Sequence, residues 1–225
     1  MTVAIGIDVY GTLVDPLGMS DALRPLVSDH ADELAAQWRT KQLEYTFRRA
    51  AMGLYANFDT CTRQALQFVL DNAGLALAPD DQARLVERYQ SLGAYPDAIA
   101  GLHKLKAGGH ALVAFSNGVE ATLRKLLSRA GLLPHLDGII SVDELKTFKP
   151  DPRVYASLVR RLNRVAAETW LISSNPFDVI GAKAAGLKAA WIRRNPQAAF
   201  DPWGVAPDLI ASNLIEFADR FRERF

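Results

Sequence analysis

Val3-Ala-Ile-Gly-Ile-Asp8-Val-Tyr10-Gly11-Thr12-Leu13 is a short, nearly all-apolar run that ends in one carboxylate and turns at once through glycine. An uninterrupted apolar run of this length reads as a strand buried on both faces, as in a parallel sheet covered by helices. In such sheets the ligand crevice lies at the carboxyl ends of the strands, where Asp8 falls. A carboxylate there costs desolvation energy unless it is paired or used. An Asp before a Gly also serves as an ordinary turn cap at strand ends, and the strand end alone leaves both readings open.

Working outward, the chain from about Pro96 alternates helix and strand. Helices are expected at Ala98–Ala107, Val119–Ala130, Pro152–Asn163, Pro176–Ala185 and Leu214–Phe225. Strands are expected at Ala111–Phe115, Gly138–Ser141, Thr169–Ser173, Ala189–Ile192 and Leu209–Ala211. That alternation predicts an α/β fold built on a Rossmann-like, doubly wound parallel sheet. Between the first strand and Pro96 the pattern is helical throughout: Leu23–Leu34, Leu34–Met52, Phe58–Leu70 and Asp80–Tyr89. The division expected is an α/β core of residues 1–14 and 96–225, with a helical cap subdomain of residues 15–95 inserted after the first strand. A cap there closes over the strand ends and excludes water from the crevice.

The 225 residues are 49% hydrophobic with a formal net charge of +1. This suffices for one sizeable core and gives no electrostatic footprint for nucleic acid or an anionic membrane. Apolar stretches fall far short of a bilayer span, and no basic leader with an apolar segment is visible, so a soluble cytoplasmic protein is expected. Cys61, the single cysteine, is read as a packed free thiol in a helix. The histidines at 30, 103, 110 and 135 lack metal-ligand spacing, and His103 and His110 are read as surface residues beside a helix end.

Three further strand ends carry polar groups: Ser116-Asn117, Lys149 in Phe148-Lys149-Pro150-Asp151-Pro152, and Ser173-Ser174-Asn175 followed by Asp178. In a parallel sheet these converge with Asp8 on one edge. A single Ser-Asn there is usually a helix cap. Two of them with a lysine fixed by a stiff Pro-Asp-Pro turn are harder to treat as caps alone.

The order Asp8-x-x-Gly11-Thr12-Leu13, Ser116-Asn117-Gly118, Lys149-Pro150 and a later acid resembles the haloacid dehalogenase superfamily over nearly the whole chain. Most of that superfamily are magnesium-dependent phosphatases, and two departures weaken that alternative. Tyr10 stands where the phosphatase pattern has a second aspartate, and Ser174 stands where it has a metal-facing one. Magnesium typically requires carboxylate oxygens, and too few remain. The residues instead resemble the L-2-haloacid dehalogenase family. Its motifs match here as Asp8-Val-Tyr10-Gly11-Thr12, Trp38-Arg39-Thr40-Lys41-Gln42-Leu43-Glu44-Tyr45-Thr46, Ser116–Gly118, Phe148–Tyr155 and Ser173–Asp178.

The resemblance implies hydrolysis of an L-2-haloacid, a small 2-haloalkanoic acid, to the D-2-hydroxy acid with inversion at C2. Asp8 is the implied nucleophile, forming an aspartyl ester. Thr12 fixes its rotamer, Lys149 balances charge, Asp178 orients or activates water, and Ser173 and Asn175 hold the network. Ser116 and Asn117 receive the substrate carboxylate, and Arg39 with the Asn117 amide receives the halide. Phe177, Phe58 and Leu43 wall the pocket, while Tyr10 and Tyr155 orient Lys149 or the substrate. The resemblance also implies a homodimer, with no cofactor, metal, nucleic acid or membrane as partner. A magnesium phosphatase and a non-catalytic family member are the alternatives.

Overall fold

The run after Val3 forms strand β1 (Ala4–Ile7), buried along its whole length, in a computed structural model that describes residues 2–223. Beside it lie β2 (Ala111–Ser116) and β4 (Thr169–Ser173). Strands β3 (Gly138–Ser141), β5 (Lys188–Ile192) and β6 (Leu209–Ala211) complete a six-stranded sheet of order β3-β2-β1-β4-β5-β6. Every pairing is parallel. The nucleophile candidate thus leaves the sheet from a central strand, where strand order reverses and a crevice opens.

Alternation along the strands sorts the core onto two faces. Ile5, Ile7, Leu112, Ala114, Trp170 and Ile172 face α5 (Ala98–Ala107) and α9 (Leu214–Arg222). Val113, Phe115, Leu171, Ala189 and Trp191 face α7 (Pro152–Arg161) and α8 (Pro176–Ala184). Gly6 admits that second layer, because a Cβ there would stand 2.8 Å from a Leu158 methyl. The remaining core helix is α6 (Glu120–Arg129).

Between β1 and α5 the chain forms α1 (Met19–Val27), α2 (Ala31–Met52), α3 (Phe58–Asn72) and α4 (Pro79–Tyr89). Their apolar stripes, including Leu23, Leu34, Trp38, Leu66 and Leu85, join the same cluster as Ile5 and Ile7. Each such side chain, fully buried, contributes roughly 1.5–3 kcal/mol, so these helices, packed on one another, share a continuous core with the sheet.

The first inserted helix corrects the expectation of Leu23–Leu34. It begins at Met19 and ends at Ser28, whose φ of 51° stops propagation; a short turn at residues 28–30 follows before α2. Asp32 and Glu33 sit in the first turn of α2, where its dipole favours acids. The closing helix ends at Arg222; Arg224 and Phe225 of the expected span lie outside the described residues. His110 is also a correction: it is buried, its Nδ1 accepts from the Val3 amide, and its ring packs edge-on to Phe221. Cys61 is a buried free thiol in α3, as expected. No helix among the described residues is long and apolar enough to cross a membrane.

Candidate functional site

Asp8 follows β1 directly and is 6% exposed, with its carboxylate ringed by donors. Oδ1 accepts from Lys149 Nζ at 3.1 Å. Oδ2 accepts from Thr12 Oγ1 at 2.9 Å, Ser173 Oγ at 3.2 Å and Asn175 Nδ2 at 2.7 Å. Gly11, at φ +89°, makes the turn that returns Thr12 to the carboxylate; only a residue without a Cβ adopts that geometry freely. Ser174 locks the turn, its amide donating to Thr12 Oγ1 at 2.8 Å and its hydroxyl to the Gly11 carbonyl at 2.6 Å.

Lys149 is buried, and its three N–H donors are all spent: on Asp8, on Asp178 Oδ2 at 2.8 Å and on the Phe115 carbonyl at 2.8 Å. Burial alone lowers its pKa, but the charges of Asp178 and Asp8 outweigh that and hold the ammonium above the ordinary lysine value. Two carboxyls share this one cation. Burial pushes the Asp178 carboxyl above the usual range, Lys149 pulls it down, and the charge of Asp8 raises it further. Tyr155 donates to Asp178 Oδ1 at 2.9 Å, and burial together with Asp178 drives the phenol well above its ordinary value.

The central cavity is lined on the core side by Asp8, Tyr10, Ser116, Asn117, Lys149, Asn175 and Phe177. Arg39 and Leu43 of α2 and Phe58 of α3 close it from the inserted helices. Four other expected site residues stand behind this surface. Thr12 and Ser173 brace Asp8, and Asp178 and Tyr155 brace Lys149. Neither Tyr10 nor Tyr155 bonds the lysine ammonium: Tyr155 reaches Asp178, and the Tyr10 ring packs on Phe58 and Tyr89. Asn117 Oδ1 accepts from the Lys149 amide at 2.9 Å, which leaves its Nδ2 for the cavity.

Gln42 is the residue that side-chain type alone did not single out. Fully buried, its Oε1 accepts from Arg39 Nη1 at 2.8 Å and from the Tyr89 hydroxyl at 2.9 Å, while its amide donates to Thr62. Arg39 also donates to the Tyr10 carbonyl at 3.2 Å. The i, i+3 spacing of Arg39 and Gln42 on one helix was the available signal. Gln42→Leu takes the acceptor from the buried Tyr89 hydroxyl and from Arg39 Nη1, while Thr62 keeps its bond to the Phe58 carbonyl; an expected loss of about 1–3 kcal/mol is read from the denaturant midpoint.

A phosphatase-type magnesium ion does not fit these donors. Asp8 and Asp178 are already bridged by an ammonium, and the third position is a serine hydroxyl that donates to backbone. Among the described residues, no three His, Cys, Asp or Glu side chains gather as ligands. The arrangement offers instead a lysine-paired carboxylate in a small cavity lined by both polar and apolar side chains, with a guanidinium among them.

The profile of the haloacid dehalogenase-like hydrolases matches residues 2–186. The (S)-2-haloacid dehalogenase 1 of Pseudomonas sp. (strain CBS-3) is 42% identical over 190 residues, 83% of this chain and 82% of the relative. The (S)-2-haloacid dehalogenase of Pseudomonas fluorescens is 34% identical over 212 residues, 94% of this chain and 93% of the relative. The structure of the L-2-haloacid dehalogenase of Xanthobacter autotrophicus with chloropropionic acid covalently bound superposes with a TM-score of 0.90. It is 33% identical in sequence and covers 99% of both chains. With Asp8 at a central strand end, a lysine bridging it to Asp178 and inserted helices closing the cavity, and relatives at this distance, the chain belongs to the haloacid dehalogenase-like hydrolases, on their (S)-2-haloacid dehalogenase branch.

Proposed function

We propose that this chain hydrolyses L-2-haloacids to D-2-hydroxy acids through an ester on Asp8. The observation that carries the reading is the Asp8 carboxylate, facing the cavity floor with Lys149 on one oxygen and Arg39 on the opposite wall. Asp8 attacks C2 from the side opposite the halogen, so the carbon–halogen bond breaks as the carbon–oxygen bond forms and C2 inverts. Charge grows on the departing halide, where the Arg39 guanidinium and Asn117 Nδ2 stabilise it more than they stabilise the ground state. The substrate carboxylate is received by Ser116 and by the backbone N–H groups beside it. Without Lys149, bringing a second carboxylate to Asp8 in a water-poor cavity would be strongly repulsive.

Water then attacks the Asp8 carbonyl carbon, and its proton reaches Asp178, which stands behind the cavity lining, by relay through the Lys149 ammonium. The tetrahedral intermediate expels the alkoxide of the hydroxy acid, which recovers that proton, and Asp8, released as the neutral acid, loses the second water proton to solvent and is restored as the carboxylate. Only the acyl–oxygen bond breaks here, so the inverted C2 is untouched. A carboxyl raised by burial is a better base than an ordinary aspartate. In this reading residues 15–95 act as a cap subdomain on a core of 1–14 and 96–225. The protein is cytoplasmic and a homodimer through its cap helices, where Met52 and Phe68 are exposed, with Leu54 exposed in the loop between α2 and α3.

The test is halide release from each enantiomer of 2-chloropropionate, with and without EDTA. Release from the L form alone, yielding D-lactate and indifferent to chelator, is expected. No release from either, beside magnesium-dependent hydrolysis of a phosphate ester, overturns the reading.

The pH profile of kcat/KM follows from the same groups. Asp178 must be deprotonated and its carboxyl is raised, so activity falls on the acid side at a pH above the ordinary aspartate value of about 3.9. Lys149 must be protonated and is raised, so its loss limits activity only above about 10.4. Tyr155→Phe removes a hydrogen bond that lowers the Asp178 carboxyl, and the acid limb moves to higher pH.

A further inference from the structure

The cavity between Asp8 and the cap helices measures about 10 Å³, roughly what the centre of one water requires. Any 2-haloacid is larger, so a wall must yield, and the walls are held with unequal firmness. Asp8, Lys149 and Asn175 are bonded to one another or to backbone. Phe58 is buried against Tyr10, ring centroids 5.1 Å apart. The segment that carries it is tied to the core twice: Thr122 donates to Asp59 at 2.7 Å, and the Tyr55 hydroxyl donates to Asp143.

Phe177 differs. It is half-buried in the first turn of α8, on the side where Leu43 and Arg39 of α2 are also half-exposed. The aromatic ring against it is Phe47 of α2, edge-on at 5.0 Å between centroids. Phe47 does not line the cavity; it stands behind Phe177 and spans the gap between cap and core.

We propose that Phe47, by pinning Phe177 across this mouth, sets the size limit for the C2 substituent, so that turnover falls as the C2 alkyl chain lengthens. The inference rests on the dehalogenase reading above and narrows its substrate class. With halide held by Arg39 and Asn117 and the carboxylate at Ser116, the C2 alkyl group is left the apolar wall of Leu43, Phe58 and Phe177. Of these, Phe177 has the freedom to turn outward, and Phe47 opposes that turn. Phe47 acts through Phe177 and is a positioning residue.

The experiment compares kcat/KM for halide release from L-2-chloropropionate, L-2-chlorobutyrate and L-2-chlorohexanoate in the wild-type chain and in Phe47→Ala, Phe47→Leu and Phe47→Trp. The wild type is expected to lose about tenfold or more with each step up in chain length, the scale on which an apolar pocket discriminates a methylene. Phe47→Ala or Phe47→Leu, whichever folds, shrinks the chloropropionate-to-chlorohexanoate ratio by about tenfold or more, while Phe47→Trp keeps it steep. Two results overturn the inference alone: an unchanged ratio in a truncated variant that still turns over chloropropionate, or wild-type turnover of chlorohexanoate as fast as chloropropionate. Absence of halide release from every acid by the wild-type chain overturns the dehalogenase reading, and this inference with it.

Discussion

Asp8→Ala is expected to abolish halide release, by roughly 10⁴-fold or more, while leaving the folded state as stable as the wild type or more so. The first half follows from chemistry, since among the described residues no other carboxylate lines the cavity to attack C2. The second follows from the charge count at Lys149, where two buried carboxyls share one ammonium. Deleting Asp8 leaves a one-to-one pair and removes a charge that raises the Asp178 carboxyl. Thr12, Ser173 and Asn175 lose an acceptor, but the vacated space is polar and adjoins the cavity, so water replaces it. A gain in melting temperature with loss of turnover would mark strain stored for catalysis. Clear destabilisation with intact turnover would remove Asp8 from its assigned role. In heavy-oxygen water, a single wild-type turnover should label the Asp8 carboxyl before the product.

Lys149→Met produces the opposite stability result. Removing the cation leaves Asp8 and Asp178 buried and unpaired, a loss expected to cost about 3–5 kcal/mol near neutral pH. The sign of its pH dependence is fixed. Without the ammonium the Asp178 carboxyl, already raised by burial, rises further above its unfolded value, so the penalty is full above the pH where it ionises in the folded state. It fades as acid protonates that carboxyl, down to the unfolded value of about 3.9. Melting curves for wild type and variant should therefore converge as pH falls. Lys149→Met/Asp178→Asn should recover much of the stability at neutral pH and none of the activity. Lys149→Arg should not rescue either, because a planar guanidinium cannot reproduce three bonds from one nitrogen in a fully buried slot. A Lys149→Met protein as stable at neutral pH as the wild type would show the pair to be uncoupled.

Much of the architecture was legible because parallel strands buried on both faces announce themselves as short apolar runs. The run from Val3 to Ile7 and the polar ends at Ser116, Lys149 and Ser173 placed the sheet edge and most of the site. Cap residues Arg39 and Leu43 came from a motif match, since helical periodicity alone cannot tell a solvated arginine from one turned into a cleft. What was hidden depends on contacts distant in sequence. Gln42 looks like any helix-surface amide until Thr62 and Tyr89 meet it. Phe47 looks like stripe residue until Phe177 faces it across 130 positions. The stop at Ser28 is a left-handed backbone state at a residue type that rarely takes one. His110 was misplaced because its partners, Val3 and Phe221, come from opposite ends of the chain.

Strand β1 pairs with β2 at Ala4–Ala111 and with β4 at Ala4–Thr169. The strand that leads into Asp8 is synthesised before both its neighbours, which emerge only after the whole helical insert has been made. Closing loops of that length costs entropy that local contacts cannot repay, so high contact order delays this sheet. On the ribosome the apolar β1 must wait unpaired while the helices of the insert, rich in local contacts, take shape. Competence for catalysis is then among the last properties the chain acquires. Nascent chains halted before Thr169 should hold helical structure without the carboxylate cage, and that interval is when the exposed strand is most open to mispairing.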